Sequence, residues 1–243
     1  MGLANDLENY INRKRLKNKD FTIICNNCYA GFIYSELGLM YTTPFVGLGM
    51  YTPCFLRMLK DPKRYLSGKI EFIKTSIYPE RNEIRKNNPY PIGLIGGDAE
   101  VHLSHYSSEA EVREKWARRI ARINWNNIFV IMDDRLGFEV KYLEEFDRLD
   151  FPRKICFTSK YYKGIKSAVW CREYENQASI DGPFVFVKTS KNDFDIVEWL
   201  NGGDIRIGFC RKIINRLFSW IHLFGYNVRI FSMIRERACR VKK

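Results

Sequence analysis

The run Asn127 to Met132, with Ile128-Phe129-Val130-Ile131 at its centre, constrains this chain more than any other stretch. Its residues are apolar throughout and rich in β-branched side chains, so it reads as a strand buried on both faces. Asp133-Asp134-Arg135 ends it; a helix is predicted from Glu139 to Leu149 and another strand at Lys154 to Thr158. A strand, helix and strand in this order form a crossover unit, with helices covering the sheet. The expected fold class is therefore α/β, three layers, with a mixed and mostly parallel sheet flanked by helices.

The remaining elements fit that frame. A short β-rich run, Asp20 to Cys25, follows a basic helix and ends at Asn26-Asn27, and the pattern from Ala30 to Met40 is helical. Thr43 to Pro53, with Gly47 and Gly49, reads as a loop before a helix at Cys54 to Leu59. A strand is predicted at Lys69 to Ile73, and Pro79 to Pro91, polar and bounded by prolines, as a loop. Ile92 to Ile95 and Ala99 to Tyr106 form a hairpin around Gly96-Gly97-Asp98. Ser108 with Glu111 makes a capping box that opens a helix to about Asn124. Strands at Ala168 to Cys171 and Pro183 to Val187 complete the reading, with helices at Phe194 to Leu200, Cys210 to Phe224 and Val228 to Ala238. At 243 residues, with no linker or internal repeat, residues 1–243 read as one α/β domain carrying a basic helical segment from about 205 to 243.

Charge supplies the first functional constraint. The formal net charge is +12, and from Ile205 onward Glu236 alone opposes the lysines and arginines. A second cluster is Arg13, Lys14, Arg15, Lys17 and Lys19. Such fields draw anions to a surface. In Arg211 to Phe224 the polar residues recur every three or four positions and leave a broad apolar side, which fits a core helix or an interfacial helix on anionic lipid. Nucleic acid is disfavoured, because no zinc-ligand pairs, RNA-recognition aromatics or helix-turn-helix accompany the charge. The apolar runs are too short for a membrane-spanning helix, and Met1 to Lys19 has no apolar leader. Seven scattered cysteines point to reduced thiols. The expected location is cytoplasmic, with a peripheral place at the inner face of the plasma membrane as its variant.

Three groups of residues carry possible chemistry. Cys25-Asn26-Asn27-Cys28 has the spacing of a redox pair, yet Cys25 falls inside the strand run. The same turn with Gly31, leading from strand to helix, is expected to leave free N–H groups at the carboxyl edge of the sheet, where α/β proteins hold anions. Asn26 and Asn27 would add side-chain amides, and Cys28 a nucleophile. The second group is His105-Tyr106 with Trp116, Arg119, Arg122 and Asn127. His102 and His105 fall on opposite faces, and His105 suits a general base. Arg119 and Arg122, three apart beside Trp116, would clamp a phosphate or carboxylate. Asp134 follows the buried strand where many glycosyltransferases carry metal-binding aspartates, but the adjacent Asp133-Asp134 pair departs from their spacing. No metal-ligand set is read here, and the sequence identifies no cofactor.

The run Phe21-Thr-Ile-Ile-Cys-Asn-Asn-Cys-Tyr-Ala-Gly-Phe-Ile-Tyr34, with Tyr90-Pro-Ile-Gly93, His105-Tyr106, Trp116-Ala-Arg-Arg119 and Arg122-Ile-Asn-Trp-Asn-Asn127, resembles a bacterial family of uncharacterised proteins. Its members are often labelled exopolysaccharide or capsular polysaccharide biosynthesis proteins. The resemblance covers about Ile11 to Thr158 and implies a cytoplasmic α/β protein acting in cell-surface glycan assembly. The combined expectation is a transferase of glycosyl, acyl or phospho groups, with a saccharide or lipid-linked saccharide and an anionic donor as partners. Its pocket would join Asn26, Asn27, Cys28 and Gly31 to the segment His105 to Asn127. The alternative is a non-catalytic module that binds glycan or a membrane surface.

Overall fold

The computed structural model describes residues 3–182, 192–205 and 207–215. The chain divides into two compact units, Asn18–Val187 and a second made of Met1–Lys17 with Lys188–Lys243.

The larger unit holds a parallel sheet of β1 (Thr22–Cys25), β5 (Ile128–Asp133), β6 (Lys154–Thr158) and β7 (Ala168–Trp170), in the order β1-β5-β6-β7. Ile24 pairs with Val130, and Ile131 with Ile155. β1 is buried along its whole length, and only the first residue of β5 is partly exposed, as their apolar sequences require. The helices α2 (Tyr29–Leu37) and α7 (Val140–Arg148) follow β1 and β5. The α/β class thus holds, but the antiparallel strands β2 (Glu71–Ile73), β3 (Ile92–Ile95) and β4 (Ala99–His102) form a sheet of their own, in the order β2-β3-β4. Between β1 and β2 lie α3 (Thr52–Leu59) and α4 (Pro62–Ser67). One apolar core serves both sheets: Ile24, Val130 and Met132 of the first cluster with Ile95 and Val101 of the second, joined by Phe45, Phe55, Trp116 and Phe146.

Three elements, among others, differ from the sequence reading. The polar stretch after Pro79 is a helix, α5 (Pro79–Asn87), with no buried residue; Arg85 ties it down by donating to the carbonyls of Tyr90 and Lys74. β4 stops at His102, so His105 stands in the turn beyond it. The helix capped by Ser108, α6 (Glu109–Ile120), ends four residues earlier than expected. The expected strand at Pro183 to Val187 and the helix at Val228 to Ala238 lie outside the described residues, as does the helix predicted at Cys210 to Phe224 beyond residue 215.

In the smaller unit, α1 (Leu3–Arg15) and α8 (Ile196–Leu200) meet around Asp195. Its carboxylate accepts from Arg15, lies 3.0 Å from Arg211 Nε and caps α8 through the N–H groups of Val197 and Glu198. Burial pushes the Asp195 carboxyl up, but the two guanidinium groups and the cap bonds outweigh it and leave it below the usual range. Among the described residues no helix is long and apolar enough to cross a membrane.

Candidate functional site

Parallel strands place all their carboxyl ends on one rim, and here that rim carries a buried polar network. Immediately after β1, Asn26 and Asn27 are buried, and both donate side-chain N–H groups to the carboxylate of Asp133 at the end of β5, Asn26 at 3.3 Å. Arg135 closes on the same carboxylate through Nε at 2.8 Å, through Nη2, and through its backbone N–H at 3.3 Å. Asp133 is buried, so its charge is compensated by a guanidinium and two amides rather than by water. Nη1 of Arg135 takes no part in these bonds; it lies 3.8 Å from where a Cβ on Gly182 would stand.

The anion cradle expected at the start of α2 is not formed. Asn27 Oδ1 accepts the N–H of Tyr29 at 2.6 Å, Gly31 donates to the carbonyl of Cys28, and the N–H groups of Asn27 and Ala30 are directed at the sulfur of Cys25. These donors are taken within the turn, so the asparagines act as caps and as holders of Asp133. Cys25 is sealed inside, and burial pushes its thiol up to about 12. Cys28 is only partly buried, yet burial also raises its thiol, against the lowering charge of Arg135, and Sγ donates to the carbonyl of Leu48 at 3.3 Å. Neither sulfur is set up as a thiolate, and the redox reading falls with the burial of Cys25.

Asp134 also has a structural task. Its carboxylate accepts the N–H of Ser159 at 2.6 Å and of Ile180 at 2.9 Å, pinning the strap after β7 to the rim. Burial raises its carboxyl, while those two N–H groups lower it. Among the described residues no group of three or more His, Cys, Asp or Glu is placed to hold a metal ion.

The expected meeting of two distant stretches does occur, through a third. The loop Thr43 to Tyr51 touches the turn on one side: Met50 donates to the carbonyl of Asn26, and Val46 Cγ1 lies 3.1 Å from the position of a Cβ on Gly31. On its other side Gly49 and His102 exchange backbone bonds, His105 donates its N–H to Gly47, and the Tyr106 hydroxyl donates to Val46 at 2.7 Å. His105 itself is exposed. Arg119 is buried: Nη1 donates to the Tyr106 hydroxyl at 2.6 Å, and the guanidinium lies 5.1 Å from the centre of the Tyr41 ring.

Other placements depart from the proposed pocket. Arg122 stands exposed two residues beyond the end of α6, so it forms no clamp with Arg119. Trp116 is a core residue packed edge-on against Phe45. Asn127 lies at the opposite, amino end of the sheet, where it donates to the carbonyl of Asp20 at 2.6 Å and accepts from Arg153. The rim is therefore rich in hydrogen bonds but not strongly cationic. Arg135, absent from the sequence-derived set, is its best-placed cation, and its signal was the position two residues after Asp133 at the end of the most apolar strand.

His102, unlike His105, is buried. Its Nε2 lies 2.9 Å from Glu100 Oε1, and Nδ1 lies 3.3 Å from the Tyr90 hydroxyl. Glu100 accepts from Ser76 Oγ and from the N–H of Ile77. Burial raises this carboxyl, but the bonds from His102, Ser76 and Ile77 prevail and hold it low. This centre anchors the chain before α5 to β4.

Two comparisons place the chain among known proteins. Over 199 residues it is 35% identical to an uncharacterised protein of Haemophilus influenzae, covering 79% of this chain and 91% of that one. Residues 3–201 match the domain of unknown function DUF1919, a span that takes in both asparagines, Asp133, Arg135 and His105, and the chain belongs to that family.

Proposed function

We propose that the chain is a transferase of cell-surface polysaccharide assembly, working at the carboxyl rim of the parallel sheet with an anionic donor. The observation that carries this reading is Arg135, held along one edge by buried Asp133 with Nη1 left over. A guanidinium fixed in this way presents a donor to a phosphate or carboxylate oxygen without losing side-chain freedom on binding. His105, exposed across the loop from the turn, would take the proton of an acceptor hydroxyl. Asn26 and Asn27 position Asp133, and Arg119 positions Tyr106. The resemblance to proteins labelled exopolysaccharide or capsular polysaccharide biosynthesis proteins points to the acceptor class, a saccharide or lipid-linked saccharide, and with it to a place at the cytoplasmic side of the membrane. The donor classes that fit are nucleotide sugars, acyl carriers and phospho-donors.

The test is a thermal-shift screen of nucleotide sugars, acyl-CoA thioesters and sugar phosphates on the full chain, repeated with Arg135→Lys and His105→Ala. Lysine keeps the charge beside Asp133 but removes the second nitrogen edge. A donor whose stabilisation disappears in Arg135→Lys and whose transfer fails in His105→Ala supports the reading. A screen without any stabilising donor, or a donor indifferent to Arg135, refutes it.

A second reading, a membrane-surface module, is favoured by one feature: Phe209, Ile213 and Ile214 are exposed on the segment 207–215, within a basic stretch of sequence. Sedimentation with anionic vesicles, lost in Phe209→Ser with Ile213→Ser, would support it over the enzyme.

A further inference from the structure

A groove of about 530 Å³ opens where β2 and β3 stop pairing, walled by Lys69, Glu71, Phe72, Gly96, Gly97 and Arg113. The last paired residues are Glu71 and Leu94; beyond them Gly68 and Lys69 face the turn Gly96-Gly97. That turn is built to stay bare. Both glycines have positive φ, 61° and 84°, and a Cβ on Gly96 would stand 2.4 Å from the Tyr65 ring. A Cβ on Gly97 or on Gly68 would meet nothing within 4 Å, so this wall is open space rather than packed surface. Arg64 holds the turn from the other side by donating to the carbonyl of Gly96 at 3.2 Å.

The opposite wall presents a planar charged surface. The Arg113 guanidinium lies 4.5 Å from the centre of the Phe72 ring, and Glu109 takes one of its nitrogens at 3.4 Å. Contact with an aromatic ring restrains the guanidinium, and Arg113 lines the groove with nitrogens that Glu109 does not take. Lys69 is exposed beside it and makes no ion pair among the described residues. The lining thus offers two cations, one carboxylate and a flat edge beside the apolar surface of Phe72 and Ile70.

We infer that this groove binds an acidic saccharide chain, a remote part of the acceptor proposed above, on which the inference rests; it lies at the Gly96-Gly97 end of the β3–β4 hairpin, the end opposite His102, and so would hold the chain away from its reacting end. Lys69 and Arg113 would receive a carboxylate of the sugar, Glu71 would accept from its hydroxyls, and the open glycine wall lets a chain run through rather than end there. A nucleobase would need an uncovered aromatic face, and Arg113 already occupies one face of Phe72.

Titration of the full chain with a galacturonate hexamer, with maltohexaose and inorganic phosphate as comparators, tests this. The acidic hexamer is expected to bind and the neutral one not. Lys69→Ala with Arg113→Ala should weaken binding about tenfold or more, since two charge-assisted hydrogen bonds are removed. Both side chains are exposed, so an unchanged melting temperature serves as the folding control, and Lys69→Glu provides a second variant with the same expected direction. Absence of hexamer binding, equal binding of maltohexaose, competition by phosphate alone, or binding indifferent to these variants overturns the inference. The donor screen on the unaltered chain separates it from the donor reading: hexamer binding while no donor binds there leaves the groove standing and removes the transferase, and Arg135→Lys should leave hexamer binding unchanged.

Discussion

Replacing Asp133 with asparagine removes one charge from the rim while keeping the shape of the side chain. The carboxylate accepts from Asn26, from Asn27 and from Arg135 three times, and its side chain is 2% exposed against 18% for Arg135. Removing one partner of a buried pair costs about 3–5 kcal/mol, because the other charge stays behind uncompensated. Arg135 keeps some contact with water, and the substituted amide would retain one acceptor oxygen. Both facts push the cost to the lower end, about 3 kcal/mol. The new amide also turns a donor toward a ring of donors, which keeps the cost from falling much further.

Urea unfolding followed by tryptophan fluorescence measures this as a shift of the midpoint at unchanged slope. A cycle with Arg135→Gln isolates the pair. Each single variant should destabilise the protein, and the double variant by less than their sum, with a coupling of about 1–3 kcal/mol. A cost below about 1 kcal/mol, or additivity within about 0.5 kcal/mol, would show that Asp133 does not hold Arg135, and the donor site would lose its basis.

Gly93→Ala should destabilise by about 1–3 kcal/mol, since its Cβ would stand 2.4 Å from Ile70 Cγ2 and 2.9 Å from the Glu71 carbonyl oxygen; Gly68→Ala, with open space around it, should be neutral or slightly stabilising in the same thermal melts. In the folded protein with Cys239 replaced by Ser, a thiol reagent should modify exposed Cys210 first, Cys28 slowly, and Cys25, Cys54, Cys156 and Cys171 only on unfolding; rapid labelling of Cys25 would contradict its placement. Asp195 has a carboxyl lowered on folding, so its stabilisation is present above the ordinary aspartate range and is lost as pH falls through the lowered value. Asp195→Asn should therefore destabilise at pH 7 by about 2–4 kcal/mol and flatten the acid limb of the stability curve, and an unchanged limb would refute the assignment.

What could be read in advance followed from local rules. β1, β5 and β6 are continuous apolar runs, and such runs bury themselves wherever they lie. Ser108 accepts the N–H of Glu111, as a cap motif dictates. The helix α5 escaped because its sequence has no apolar face; Pro79 opens it and bonds from Arg85 to distant carbonyls hold it, a tertiary cause that periodicity does not contain. The site was legible in position more than in chemistry. Asn26 and Asn27 do lie at the carboxyl rim, but whether an asparagine caps its own turn or leaves N–H groups free depends on where its side chain goes. The cysteine two residues before Asn27 took up the rest. Arg119 and Arg122 looked like a pair because three-residue spacing shares a helical flank, and the pairing vanished when the helix stopped at Ile120. Arg135 was passed over because a carboxylate and a guanidinium two residues apart at the end of a strand match no periodic pattern.

The loop Thr43 to Tyr51 explains how such separate stretches meet at the candidate site. It has little regular structure, yet Thr43, Phe45, Leu48, Met50 and Tyr51 are buried. Buried backbone without a ladder must find partners elsewhere or cost free energy at every residue. Here it finds them in both sheets: Asn26 from the parallel one, His102 from the antiparallel one, with His105, Tyr106 and Cys28 completing the set. The separation of parallel and antiparallel strands into two sheets thus shapes the candidate site, because the loop between them bonds to both. A single sheet would have satisfied its own edges, whereas two sheets leave an irregular segment to be held between them. That segment brings an exposed imidazole to the same loop that borders the asparagine turn.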